Sequence, residues 1–217
     1  MTTSCKVTGN YDFRANVYGI LALAFSPPRM EGEKLYEAIL QAHHLLRPND
    51  ESMPEEHNTQ DLSASQLSKE HLRLFVGPGR VQCPPYESVY RQDRPLLEKG
   101  LVMGPSTADV RHRYAEANLV VPKNFTDLPD HIAVEMEFMH FLCGEESRFA
   151  EQVNPQESAK IRKMQNEFLE EHLKPWVNNF ADCILRSANL SIYKAAASLL
   201  KTFIQSESEN FLGNDTQ

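Results

Sequence analysis

From Leu74 to Pro95 the chain reads LFVGPGRVQCPPYESVYRQDRP, with four prolines and two glycines in twenty-two residues. Proline lacks an amide proton and fixes φ, so Pro78 and the Pro84-Pro85 pair break any helix that reaches them. Elsewhere apolar residues recur at helical spacing. The stretch therefore interrupts a helical protein, and it does so with Leu74, Phe75, Pro85, Tyr86 and Tyr90 instead of the Ser, Asn and Gly of a plain loop. Two readings stand at this point. One is a packed connector that proline stiffens, lowering the entropy cost of ordering it. The other is a groove wall, because proline and tyrosine present flat apolar surface at little entropic cost.

Around this stretch the periodicity predicts seven to nine helices, no strand alternation and no repeat. The expected class is an all-α helical bundle, one domain over residues 1–206 with a frayed polar tail at 207–217. Asn10 or Asp12 can cap a first helix to about Phe25, with Tyr11, Tyr18, Leu21, Ala22 and Phe25 on one face and Ser26-Pro27-Pro28 as its stop. Leu35, Ile39 and Ala42 mark a second helix over about 32–46, followed by a polar acidic loop from Pro48 to Asp61. Ser63 or Ser65 opens a third, with Leu67, Leu72, Leu74 and Phe75 as its apolar residues. Leu96 to Gly104 carries no clear pattern, Pro105 starts a helix to about Ala117, and VVPKNFTDLP reads as a connector. Asp130 reads as the cap of the next helix, with Ile132, Met136, Met139 and Cys143 as its stripe and Phe138 and Leu142 flanking it, up to Asn154-Pro155. Ile161, Met164, Phe168 and Leu169 point inward from a helix ending near Leu173. Trp176, behind Pro175, reads as a packing anchor, and Asn189 or Ser191 opens the last helix.

Composition narrows the function. The chain of 217 residues carries a net charge of −8, which argues against nucleic acid as the main partner. The apolar run Val17–Phe25 is far short of a membrane span, and the prolines behind it favour a buried first helix over a secretory segment. Cys5, Cys83, Cys143 and Cys183 form no CxxC pair, so isolated buried thiols are expected, with neither a disulfide framework nor a zinc site. His43, His44 and His112 read as surface helix residues.

Enzyme motifs do not stand out. Gly77-Pro78-Gly79-Arg80 lacks the lysine of a phosphate loop, and there is no GxSxG or HExxH. The best polar constellation is Asp130, His131 and Glu135. On one helix His131 and Glu135 are neighbours at i, i+4, and a carboxylate at the edge of an apolar stripe wants a partner. The pair reads as a metal-ligand pair, as a recognition site for a cationic group, or as a satisfied pair at a helix start capped by Asp130.

Three segments together carry more than each alone: EHLRLFVGPGRVQCPPYESVY, LPDHIAVEMEFM and FLEEHLKPWVNNF. In this order and spacing they resemble the TorD-like redox-enzyme maturation chaperones. The resemblance implies an all-α, non-enzymatic, cytoplasmic chaperone. It would bind a molybdopterin enzyme precursor through its twin-arginine signal peptide and hold it for cofactor loading. It also implies weak guanine-nucleotide binding in some members, no resident cofactor, and a monomer or a domain-swapped homodimer. Carried over residue by residue, Phe75, Pro85, Tyr86 and Tyr90 fall on the family's apolar patch and Asp130 and His131 on its acidic-His motif; with Leu74 and Glu135 they form the expected partner-binding set, an apolar wall and a polar counterpart across a shared groove. The chain departs from the family where a tryptophan is usual at Tyr86 or Tyr90, and in the order of Asp127, Leu128 and Pro129 before Asp130. The competing readings are a guanine-nucleotide-binding or -hydrolysing helical protein and a metal-dependent enzyme built on His131 and Glu135.

Overall fold

Amphipathic stripes of the kind seen in this sequence bury themselves by packing helix on helix. The computed structural model describes residues 5–29, 32–48, 62–91, 100, 102–119 and 127–214, and is all-α. Helices α1 (Cys5–Phe25) and α2 (Gly32–Leu46) are followed by α3 (Ala64–His71), which widens into a π-turn, Leu72–Val76. The one-turn α4 (Glu87–Tyr90) lies inside the Pro/Gly stretch. Then come α5 (Pro105–Glu116), α6 (Ile132–Glu151) and α7 (Pro155–Phe168), which ends in a second π-turn, Leu169–Leu173. Helices α8 (Val177–Ser187) and α9 (Ser191–Asn214) close the bundle. Among the described residues there is no strand beyond a single bridge between Tyr86 and His131.

Helix α1 is central. It packs along α6, and His140 on α6 donates through Nδ1 to the Ala15 carbonyl at 2.7 Å. Tyr18, Leu21, Ala22 and Phe25 are buried beneath it, in agreement with the predicted face, and Val17 is buried beside them. Helix α6 buries Ile132, Met136, Met139 and Cys143 as expected, together with Phe138 and Leu142. An aromatic cluster joins the halves of the chain. Phe75 meets Phe25, Phe180 and Tyr193 with ring centroids 6.2, 6.0 and 5.6 Å away, and Trp176 stacks on Tyr90 at 5.6 Å. Trp176 is thus the packing anchor its position suggested.

Several expectations are corrected. The first helix starts at Cys5, ahead of both candidate caps. The last helix runs past 207 to Asn214, because Glu207 and Phe211 are buried. His43 is buried on α2, while His44 and His112 are exposed. Cys83 and Cys183 are not isolated thiols: they form a disulfide across 100 residues of sequence, with Cα atoms 5.8 Å apart, and only Cys143 is a free buried thiol among the described cysteines. The pairing depends on the fold bringing the Pro/Gly stretch against α8, which no local spacing encodes. Residues 49–61 of the expected loop, most of the 96–104 segment, residues 120–126 of the expected connector and the side chain of Tyr11 lie outside the described residues.

At the far end from the Pro/Gly stretch, one buried arginine ties four elements together. Arg14 on α1 donates to Glu207 on α9 at 2.7–2.9 Å, to Glu146 on α6 at 3.2 Å and to Gln165 on α7 at 2.7 Å. Tyr18 donates to Glu207, and Gln165 to Glu146. Burial alone would push the Arg14 guanidinium down, and the Glu207 carboxylate more than restores its charge. Buried charges survive only when paired in this way.

Candidate functional site

The Pro/Gly stretch is built by its special backbone. Gly77 takes φ 107°, a region open to glycine and strained for other residues, so the chain can turn off the π-turn at this point. The Cys83 amide then returns to the Leu74 carbonyl at 2.8 Å, and the disulfide fastens this return to α8. Pro84-Pro85 hold the next residues extended, and they zip onto the approach to α6. The Ile132 amide donates to the Pro85 carbonyl at 2.9 Å and the Glu87 amide to the Asp130 carbonyl at 3.0 Å, with Tyr86 and His131 bridged between them.

This join reassigns the roles of the acidic-His motif. Asp130 does not cap α6. Its Oδ2 accepts from the Ser88 amide at 3.0 Å and so caps α4 on the other segment. His131 is the N-cap of α6, its Nδ1 accepting from the Ala133 amide at 3.1 Å. As a cap it has extended backbone, so the helical i, i+4 geometry does not apply, and no hydrogen bond or ion pair joins its side chain to Glu135. Burial lowers the His131 pKa against the pull of Asp127 and Asp130, so the ring is neutral at pH 7. Its edge meets the Tyr86 ring at 5.3 Å, and the Tyr86 hydroxyl donates to Asp127 at 2.8 Å.

Beneath the join lies a buried acidic group. Glu87, Asp130 and Glu135 are all fully buried. Glu87 is paired, with Arg91 at 2.6 Å and His172 Nδ1 at 3.1 Å. Glu135 interacts with Glu87 and the Trp176 indole nitrogen but makes no hydrogen bond of good geometry, and neither does Asp130 Oδ1. Burial first, then the charges of Glu87 and Asp130, raise the Glu135 pKa well above the carboxylate range, so it is held protonated.

The eight predicted site residues therefore divide. Leu74, Phe75 and Pro85 are buried and face the core, where they cannot form a groove wall. Tyr90 is half-buried against Trp176. Asp130 and Glu135 are wholly inside. Tyr86 sits half-buried at the surface, and His131 reaches the edge of a cleft. The Pro/Tyr stretch and the acidic-His motif do come together, but as two sides of one wall and not as partners across a groove.

The groove is elsewhere. A cleft of about 510 Å³ runs past Leu23, Pro27 and Pro28 of α1 and the turn behind it, Val134 and Glu137 of α6, and Tyr193 of α9, with Asp127 and His131 at its rim. A second hollow of about 610 Å³ continues along α1 past Phe13 and Ile20 to Leu45 of α2, and shares Leu23 and Glu137 with the first. Together they make a largely apolar trough with exposed carboxylates at Asp127 and Glu137, and with Arg29 at one end. Leu23 and Leu45 are 50% and 58% exposed. The sequence carried a signal for it: VYGILALAF is apolar on more than one face, and only one of those faces is needed for the core.

Comparison with known proteins agrees with this architecture. The family model described as nitrate reductase delta subunit matches residues 33–182. The chaperone protein TorD of Vibrio cholerae is 26% identical over 150 residues, a match covering 69% of this chain and 64% of that protein's own length. TorD of Vibrio parahaemolyticus is 25% identical over 212 residues, covering 92% and 95%. A crystal structure from Archaeoglobus fulgidus, of a protein assigned as a redox enzyme maturation protein, shares the fold with a TM-score of 0.53 at 22% identity, over 89% of this chain and 93% of that one. With a family model matched over most of its length and a bundle in which the PPYESVY and PDHI segments meet at one join, the chain belongs to the nitrate reductase delta subunit family, the TorD-like chaperones of redox-enzyme maturation.

Proposed function

We propose that this chain is a cytoplasmic chaperone that binds the twin-arginine signal peptide and the apoprotein of a molybdopterin oxidoreductase and holds them for cofactor loading before export. It acts by binding, not catalysis, and the role needs no cofactor of its own. The observation that carries the reading is the trough along α1, apolar on its floor with carboxylates at Asp127 and Glu137. A twin-arginine leader has matching chemistry. Its guanidinium groups seek carboxylates in bidentate pairs, and its apolar run seeks a concave apolar surface. Glu137 stands where the two hollows meet, so it can hold an arginine while Leu23 and Val134 take the run that follows. The net charge of −8 speeds encounter with a cationic peptide. A chaperone must also release its client, which sets a dissociation constant of about 1 μM, near −8 kcal/mol.

Calorimetry on the full chain tests this with three titrants: a twin-arginine peptide, its Lys-Lys variant and GTP. The twin-arginine peptide is expected to bind, the variant to bind at least about tenfold more weakly, and Glu137→Gln to narrow the difference between them. If neither the peptide nor a full-length molybdoenzyme precursor binds while GTP is turned over, the nucleotide reading replaces this one.

A further inference from the structure

His172 sits on the second π-turn, a geometry that swings a side chain off the ordinary helical register. The residue is 1% exposed, and both ring nitrogens are aimed at carboxylates. Nδ1 lies 3.1 Å from Glu87, a buried carboxylate that can only accept, so Nδ1 carries the proton. Nε2 faces α5. It makes no hydrogen bond, yet it stands 3.3 Å from an Asp109 oxygen on α5. Two electron-rich atoms at that distance need a positive charge between them, either a second proton or a metal ion.

The neighbourhood favours the metal. Asp109, Glu171 and His172 each bring a ligand atom within 4.8 Å of the others. Asp109 and Glu171 are exposed and can swing in to the spacing of about 3.4 Å that ligands take around a tetrahedral ion. Arg113 holds one Glu171 oxygen at 2.5 Å, which leaves the other for an ion. Glu87 completes the arrangement typical of zinc sites, in which a carboxylate orients the ligating histidine from its other nitrogen. We propose that Asp109, Glu171 and His172 bind a divalent transition-metal ion of the zinc type, with Glu87 as the positioning residue, independently of the peptide groove. One nitrogen and two carboxylates leave a fourth position open to water or to a donor from a bound client.

The test is titration of the tag-free, chelator-treated full chain with Zn²⁺ by calorimetry and with Co²⁺ by visible absorption. One ion is expected to bind with a micromolar dissociation constant, and Co²⁺ to show the intense bands of a tetrahedral site. The exposed pair Asp109→Asn with Glu171→Gln should weaken binding at least about tenfold with an unchanged melting temperature. Glu87→Gln, if it folds, should weaken it while leaving the ligand set intact. If the wild-type chain and the double variant bind Zn²⁺ equally, or if neither binds at roughly a hundred times the expected dissociation constant, a proton fills the gap at Nε2 and the proposal is overturned.

Discussion

Two buried polar groups of this molecule invite comparison. Around Arg14 two carboxylates, a glutamine and a tyrosine from α1, α6, α7 and α9 are joined by hydrogen bonds, and Arg162 adds a second cation beside Glu146. Around Glu135 three buried carboxyl groups crowd together, and Glu135 and Asp130 Oδ1 are without a hydrogen bond of good geometry. The first group is what a protein builds to hold helices in one arrangement. The second is a stability cost, since an unsatisfied buried polar group forfeits its hydration. It lies directly under the join between the Pro/Tyr stretch and the start of α6. That join sets the position of His131, which lines the cleft. One end of the bundle is locked, and strain is kept at the other, beside the trough.

Four perturbations break or sharpen this contrast. The largest effect is expected at the locked end. Arg14→Met leaves the buried Glu207 without a cation, and Glu146 with Arg162 alone, and should cost about 3–5 kcal/mol in urea unfolding. Next comes the disulfide. Reduction, or Cys183→Ser, removes a link closing 100 residues of chain and should cost about 2–4 kcal/mol. Hydrogen exchange should rise in residues 77–90 and stay unchanged around Arg14.

A smaller effect, of opposite sign, is expected at Glu135. Its pKa is raised in the folded chain, so its stabilising contribution is complete below the usual value of 4.5 and falls as pH rises and the unfolded carboxyl ionises. Glu135→Gln should therefore gain stability relative to wild type between pH 5 and pH 8, with the gap widening as pH rises; a constant gap would mean that Glu135 is ionised in the fold. The smallest effect belongs to Tyr86→Phe, which loses one hydrogen bond to Asp127 at the surface and should cost no more than about 1 kcal/mol in the same unfolding measurement.

Much of the fold was legible in the sequence. The stripes on α1 and α6, the bounds of α2 and α5 and the anchor role of Trp176 all follow from 3.6-residue periodicity and from proline stops. What was not legible depends on partners far along the chain. Glu207 reads as part of a polar tail until Arg14, 193 residues away, is placed beside it. Cys183 reads as an isolated thiol for the same reason. At the site, the pairing of the Pro/Tyr stretch with PDHI was legible, but not its sense. Phe75 and Tyr90 look like a binding surface by composition, and only the fold shows that the aromatic core takes them. Conversely Leu23 and Glu137 belong to helices whose other faces are buried, and periodicity alone does not say which leftover faces line a common trough.

The central claim is that the client peptide lies in the trough along α1 and not on the Pro/Tyr stretch. Hydrogen-exchange mass spectrometry of the full chain with and without saturating twin-arginine peptide tests it most directly. Protection is expected in residues 13–28, in α2 near Leu45 and at the start of α6, and Leu23→Asp should abolish it without lowering the melting temperature. Protection confined to residues 77–90, with Leu23→Asp binding the peptide as well as wild type does, would contradict the account.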